Sequence, residues 1–375
     1  MKRTLISFAV LGTILGAVSV QAGGFDRSGQ DTSIILKDGN LLEITSVSVS
    51  PSVTGTYSST ASGGAITNVA PSYSFTNLAF RTDISDDMDL AVIQDEPYGA
   101  QINWVSGNPQ TGASAVSFIG VKADIKSSAT TALVSYDVDD KFTVYGGLKS
   151  QSISALVANP AAAYYTLSTN TSSSFGYVVG AAFEKPEIAM RVALTYHSKV
   201  SHALDVYETN LSGSPALPTP HATSLTVESP EAYNLDFQTG IAENTLVFGT
   251  IRHVKWTQFS LKPPIYSGLT GGGALKDYSN NVTSYSIGLG RRFTDQWSGA
   301  VTYGSEAATG EAGSGFGPTD GYNKIGLGVT YTGEKTSVTL GMQKVNMGDT
   351  VTAPFPATMS GNTSLVTAVK IGYKF

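Results

Sequence analysis

The chain has 375 residues and a formal net charge of −6, with 14% charged residues against 41% hydrophobic ones. The charged share falls well below the roughly 25% of soluble domains, too little to cover an ordinary water-facing surface. No basic run offers a footprint for nucleic acid. With no cysteine and four scattered histidines (His197, His202, His221, His253), neither a disulfide framework nor a metal site is expected.

The N-terminus places Lys2 and Arg3 ahead of an apolar run from Leu5 to Val18, followed by Ser19-Val20-Gln21-Ala22. That is the grammar of a secretory signal, so residues 1–22 are expected to be cleaved on export. The apolar run is shorter than the roughly 20 residues of a spanning helix, and no second stretch of that length follows. Residues 23–40 come next. Their mixed polarity, with Gly24, Phe25, Asp26 and Arg27 ahead of Ile34-Ile35-Leu36, suits a short plug, or hatch, folded inside a lumen.

From residue 41 to the C-terminus the pattern has period 2. The first segment is Leu41 to Tyr57. Six pairs of alternating segments follow, joined by short polar turns at Asp83-Ile84-Ser85-Asp86, Asp139-Asp140, Glu184-Lys185-Pro186-Glu187, Glu243-Asn244, Thr294-Asp295 and Gly333-Glu334-Lys335. The last segment runs from Leu365 to Phe375. Long Ser/Thr/Gly/Asn/Pro-rich stretches separate the pairs: Val105 to Val116, Ala158 to Ser174, Ala203 to Ala222, Ser260 to Asn280 and Glu306 to Gly321. Short connections on one side and long ones on the other are the asymmetry of bacterial outer-membrane barrels. The count gives an all-β fold, a 14-stranded antiparallel transmembrane β-barrel over residues 41–375. One face of each strand is apolar, as in Ile325, Leu327, Val329 and Tyr331, and the other small or ionic, as in Lys324, Gly326 and Gly328. The apolar faces are expected to meet lipid and the others the lumen. Phe142, Phe183, Tyr196, Phe293, Trp297, Tyr303, Tyr331 and Tyr373 fall near strand ends, where interfacial aromatic girdles sit.

Several ordered stretches resemble the FadL/TodX family of outer-membrane long-chain fatty-acid and aromatic-hydrocarbon transporters. They are Arg191-Val-Ala-Leu194-Thr195-Tyr196-His-Ser198-Lys-Val200, Ser229-Pro230-Glu231-Ala-Tyr233 with Gly240, Trp256-Thr-Gln-Phe259 and Asp295-Gln296-Trp297. The resemblance covers essentially the whole mature chain. It implies a barrel closed by an N-terminal hatch, hydrophobic ligand captured at the outer face, and a kink in the third strand that opens the wall sideways. Here that strand meets Pro97, Tyr98 and Gly99, where proline cannot donate a ladder hydrogen bond and glycine weakens the strand, so a lateral gate is expected there. The hatch is shorter than in the larger members and ends in Lys37-Asp38-Gly39-Asn40 without their Asn-Pro-Ala element.

The expected function is passive uptake of hydrophobic compounds, long-chain fatty acids or related lipids and hydrocarbons, through a plugged barrel. The alternative is a general pore-forming or structural outer-membrane protein. Arg27, Lys149, Arg191 and Lys324 are the candidate partners for a ligand carboxylate. No nucleophile motif surrounds His197 or His253, so no catalytic residue, cofactor or enzymatic activity is expected. No phosphate-binding glycine loop signals an energy source. Expected partners are outer-membrane lipid and lipopolysaccharide, a hydrophobic small-molecule ligand, and the barrel-assembly machinery reading the terminal Phe375, with a monomer as the working state.

Overall fold

A computed structural model describes residues 25–58, 64–105, 118–211 and 216–375. The expected signal segment, Gly24 and the stretch 106–117 lie outside the described residues. Among the described residues, fourteen antiparallel wall strands form a closed barrel. They are β1 (Leu41–Ser52), β2 (Tyr73–Asp83), β3 in two pieces (Met88–Asp95, Gly99–Asn103), β4 (Lys122–Asp137), β5 (Phe142–Asn159) and β6 (Ser172–Lys185). Next come β7 in two pieces (Met190–His197, Val200–Asn210) and β8 in two pieces (Leu217–Ser229, Ala232–Ala242). The wall is completed by β9 (Thr245–Val254), β10 (Val282–Arg292), β11 (Trp297–Glu306), β12 (Tyr322–Thr332), β13 (Thr336–Met347) and β14 (Thr363–Lys374). Each strand pairs with its chain neighbour, and β14 closes on β1 from Leu41↔Lys374 to Ser52↔Thr363. Closure joins the first and last strands, so the sheet ends in no free edge strand.

The six short turns lie at one end. Asp139 shows why they hold: its carboxylate accepts the amides of Lys141 and Phe142 at 2.7 and 2.8 Å, an Asx turn that reverses the chain in a few residues. Asn244 takes φ 56° in the turn between β8 and β9, a conformation asparagine tolerates better than most residues. Side-chain alternation follows the pleat. Ile325, Leu327, Leu340 and Ile371 are exposed on the outside, while Lys324, Thr330, Thr339, Gln343 and Lys370 are buried within.

The long connections depart from expectation in one respect. Ala203 to Ala222 reads as a loop, yet β7 continues to Asn210 and β8 starts at Leu217, paired from Val200↔Ser229 onward. Above the membrane the alternation reverses sense. Val200, Leu204 and Val206 are buried inside, while Ser201, Ala203 and Asp205 face out. The other long stretches carry small elements: a strand Tyr165–Thr169 between β5 and β7, and a helix Pro264–Leu269. Residues 55–57, 65–66, 350–351 and 357–359 make a separate four-stranded sheet.

Residues 25–40 lie in the lumen. Phe25, Asp26, Arg27, Ser28, Gln30, Thr32, Ile34, Ile35 and Leu36 are all buried, and Ser33–Leu36 form one 3₁₀ turn. No helix among the described residues is long and apolar enough to cross a membrane.

Candidate functional site: the hatch and the broken third strand

The third strand breaks at Glu96-Pro97-Tyr98. Its lower piece pairs with β4 up to Asp95↔Ala129, and its upper piece resumes at Gly99↔Lys126. Three residues therefore face two, Ser127 and Ser128, which is a bulge. Ser127 bridges it: the Tyr98 amide donates to Ser127 Oγ at 2.9 Å, and that hydroxyl donates to the Tyr98 carbonyl at 2.7 Å. On the other side β2 pairs with β3 only from Leu78↔Gln94 downward, so Tyr73 to Asn77 face no ladder partner from β3. A cleft of ≈ 420 Å³ opens here, lined by Arg27, Tyr73, Glu96, Gln101, Ser128 and Ser152 among others.

The hatch supplies the hydrogen bonds that the break leaves open. The Arg27 amide donates to the Pro97 carbonyl (2.9 Å), the Ser28 amide to that of Glu96 (3.2 Å), and the Gly99 amide to that of Phe25 (2.8 Å). Asp26 and Tyr98 form an antiparallel bridge. The first hatch residues thus act as a short extra strand on the break. A Cβ at Gly99 would overlap the Arg27 guanidinium, which would then have to move. Arg27 Nη1 pairs with Glu96 at 3.1 Å, and its guanidinium lies 4.2 Å from the Tyr73 ring centroid. Its Nε and Nη2 are buried with no hydrogen-bond partner.

Side chains fix the hatch further down. Arg252 holds Asp26 through Nε–Oδ2 (2.5 Å) and Nη2–Oδ1 (3.2 Å). It also donates to Asn234, whose amide donates to the Gly29 carbonyl at 2.9 Å. Ser28 donates to Asp95 (2.5 Å), and Gln30 donates to the Tyr98 hydroxyl (3.0 Å). Tyr98 in turn donates to the carbonyl of Pro230, in the break of β8. Near the periplasmic end, Arg191 donates to the Leu36 carbonyl (2.6 Å) and Arg81 to that of Gly39 (2.6 Å), while Glu43 joins Lys37 and Lys370.

Above the hatch, Phe25 sits in an aromatic box. Trp256 and Phe259 each lie 4.8 Å from it, Tyr98 5.9 Å and Tyr278 6.3 Å, between ring centroids. Trp256–Gln258 form a 3₁₀ turn, whose three-residue period puts Trp256 and Phe259 on one side. A second cavity, ≈ 70 Å³, lies over Phe25 toward the extracellular end, lined by Val157, Leu261, Leu275, Tyr278 and Phe316, with Lys276 the one cation and Glu311 and Asp320 the carboxylates on it among the described residues. Burial lowers the pKa of Lys276 from its ordinary value, with Asp277 and Glu311 opposing that shift. Its Nζ lies 4.0 Å from the Tyr278 ring centroid.

The residues singled out in the sequence are placed as follows. Pro97, Tyr98, Gly99, Phe25, Asp26 and Arg27 come together in one contact. Lys149 donates to Gln30 at 3.1 Å. Arg191 pairs with Glu184 at 2.6 Å, low in the barrel. Lys324 lies 5.5 Å from the Tyr322 ring centroid on the luminal face of β12. Sequence reasoning missed Lys276 and Arg252. Lys276 lies in a loop without periodicity, and Arg252 continues the inward alternation of β9, a signal that could have found it. His253 faces outward with Nδ1 2.8 Å from Thr283 Oγ1, whereas His197 is buried inside with neither ring nitrogen hydrogen-bonded. Among the described residues no cluster of His, Cys, Asp and Glu could hold a metal ion.

The fold is shared with solved outer-membrane proteins. A Pseudomonas aeruginosa FadL homologue aligns with TM-score 0.73 at 13% identity, covering 97% of this chain and 98% of that one. The Pseudomonas putida toluene transporter TodX aligns at 0.65 and 12%, covering 96% and 98%, and the Ralstonia pickettii toluene transporter TbuX at 0.65 and 12%, covering 98% and 100%. At such identities the likeness speaks for the fold alone. Comparison with curated proteins finds no match. The family model for outer membrane protein transport proteins (OMPP1/FadL/TodX) matches residues 34–354. The chain belongs to that family of outer-membrane transport proteins.

Proposed function

We propose that the protein takes up hydrophobic compounds bearing a carboxylate, of the long-chain fatty-acid class, and releases them through the wall at the break in β3. The observation that carries this reading is Phe25. Phe25 is at once the floor of the outer cavity and part of the segment hydrogen-bonded to the break. A hydrophobic tail entering the cavity competes for the aromatic box. Displacing Phe25 pulls on residues 25–28 and hence on Glu96 to Gly99. The tail leaves water for apolar surface at each stage, so the direction of travel needs no other energy source.

Two cations suit a carboxylate. Lys276 meets it at the outer cavity, and Arg27, with two unpartnered donors, lines the cleft. Arg191 lies deeper in the lumen, beside Leu36, and would act only on ligand that continues downward, while Lys149 and Lys324 lie about level with the break. The solved relatives described as toluene transporters raise a second reading, a neutral aromatic ligand suited to the box around Phe25. The test is uptake of labelled long-chain fatty acid and labelled toluene by a transporter-deficient Gram-negative host carrying this chain or empty vector. Fatty-acid uptake above vector supports the proposal, and toluene alone supports the second reading. Neither, with the barrel assembled, overturns both and leaves a general pore.

A further inference from the structure

At a fixed distance from the periplasmic end, the outer surface of the barrel divides into two arcs. About six or seven residues up each strand, the outward side chain is Thr367 on β14, Ser48 on β1, Thr76 on β2, Gln94 on β3 and Thr130 on β4. These five strands are contiguous around the wall. On the other nine strands the same level carries an apolar or aromatic side chain, as at Leu148 on β5, Val179 on β6, Tyr303 on β11 and Ile325 on β12. Strand rise and the usual barrel tilt put that level roughly 18 Å above the periplasmic end, inside the apolar band of roughly 25 Å that such barrels present to lipid.

A second observation marks the same level. Along the arc the luminal ion pairs between wall strands, Glu43–Lys370 and Arg81–Asp89, lie below it, beside the buried apolar Ala91, Ile93 and Leu133, and above it Val49, Phe75 and Ile125 are buried apolar groups. Polar outside and apolar inside is the pattern of a strand in water, so on this side the membrane pattern ends early. The cleft beside the break in β3 belongs to the water-like side: Ser128, Ser152 and Lys126 on its rim lie above the polar row.

We infer that the polar head-group layer of the outer leaflet descends against the arc from β14 to β4, so that the cleft opens into head groups and not into hydrocarbon. Hydroxyls stranded in hydrocarbon would lose water with nothing to replace it, whereas a bilayer thins locally at modest cost. Head groups fit the arc better than a protein partner, because a row of Ser, Thr and Gln lacks the apolar or aromatic centre of a protein interface. A ligand crossing the cleft would then meet sugar, phosphate and bound cations first, and slip its tail between acyl chains while its carboxylate stays in the polar layer. That last step rests on the proposed function; the depth of the arc does not.

The absence of cysteine gives a clean background for labelling. Single variants Ser48→Cys, Thr76→Cys and Thr130→Cys, none of which lines the cleft, and Tyr303→Cys and Ile325→Cys on the opposite wall, would carry nitroxides in vesicles of outer-membrane lipid including lipopolysaccharide. The readout is collision with oxygen, which concentrates in hydrocarbon, against collision with a water-soluble nickel chelate. The expected result is an inversion: nickel dominates at 48, 76 and 130, and oxygen at 303 and 325. Oxygen dominating at all five sites would overturn the inference and put the cleft in hydrocarbon. Protection of 48, 76 and 130 from both probes would overturn it too, in favour of a protein or second copy on the arc. Either failure leaves the uptake assay untouched, so the two proposals fail separately.

Discussion

The Arg27 guanidinium occupies the space that a side chain at residue 99 would need, so any larger residue there would have to displace it. Arg27 is held there on three sides, by Glu96, by the Tyr73 ring and by its own amide bonded to Pro97. The contact joins the luminal segment to the break in the wall.

The Asp26–Arg252 pair ties the hatch to the far wall through two hydrogen bonds, and both residues are buried. Asp26→Asn leaves a buried guanidinium without its counter-charge, a loss of about 3–5 kcal/mol for such pairs. The hatch joins the wall only through the short bridge at the break and side-chain ties, not through a continuous ladder, so it releases before the barrel melts. The expected outcome is raised permeability to small hydrophilic solutes in liposomes with barrel unfolding unchanged. Deleting residues 23–36 should reach the same leak, and unchanged permeability in both would refute a closing role for the segment.

Lys276→Met should weaken fatty-acid binding roughly tenfold, the worth of one charge-assisted hydrogen bond, and leave toluene binding unaltered. The sign of the pH dependence follows from burial. A lysine whose pKa is lowered stops offering a cation sooner as pH rises, so wild-type affinity for the carboxylate should fall at a lower pH than an exposed lysine would give. Titration calorimetry across pH on both proteins checks this; a pH-independent wild-type affinity would remove Lys276 from the site.

Glu208 is fully buried above the membrane, accepting from Tyr165 Oη (2.8 Å), Thr223 Oγ1 (2.7 Å) and the Ile265 and Tyr266 amides at the start of the helix Pro264–Leu269. It pins the helix that follows the cavity residue Leu261 to the β7–β8 hairpin. Glu208→Ala strands these donors, at about 1–3 kcal/mol for each one left without water. Limited proteolysis should then cut within residues 260–280 several times faster while the wall strands stay protected.

Much of the wall was legible because lipid imposes a strict rule: apolar outside at every second residue, with short turns at one end. Ile325 to Tyr331 and the Asp139-Asp140 turn obey it. The extracellular parts of β7 and β8 escaped because water surrounds them, and Val200, Leu204 and Val206 alternate with the opposite sense. Pro97 and Gly99 announced the break, since each disrupts a strand for a known backbone reason. What filled the break was not legible. Nothing local to Phe25 or Arg27 says that they pair with residues seventy positions away, and Arg252 meets Asp26 only through closure of the barrel.

The most direct measurement is uptake of labelled long-chain fatty acid by the transporter-deficient host carrying wild-type chain or the double variant Pro97→Ala, Gly99→Val, at matched outer-membrane levels. The double variant restores a ladder donor and a strand-forming side chain, straightening β3 and displacing Arg27. Uptake falling to the empty-vector level with the barrel assembled is the predicted result. Wild-type uptake through the straightened strand would contradict a sideways exit at the break.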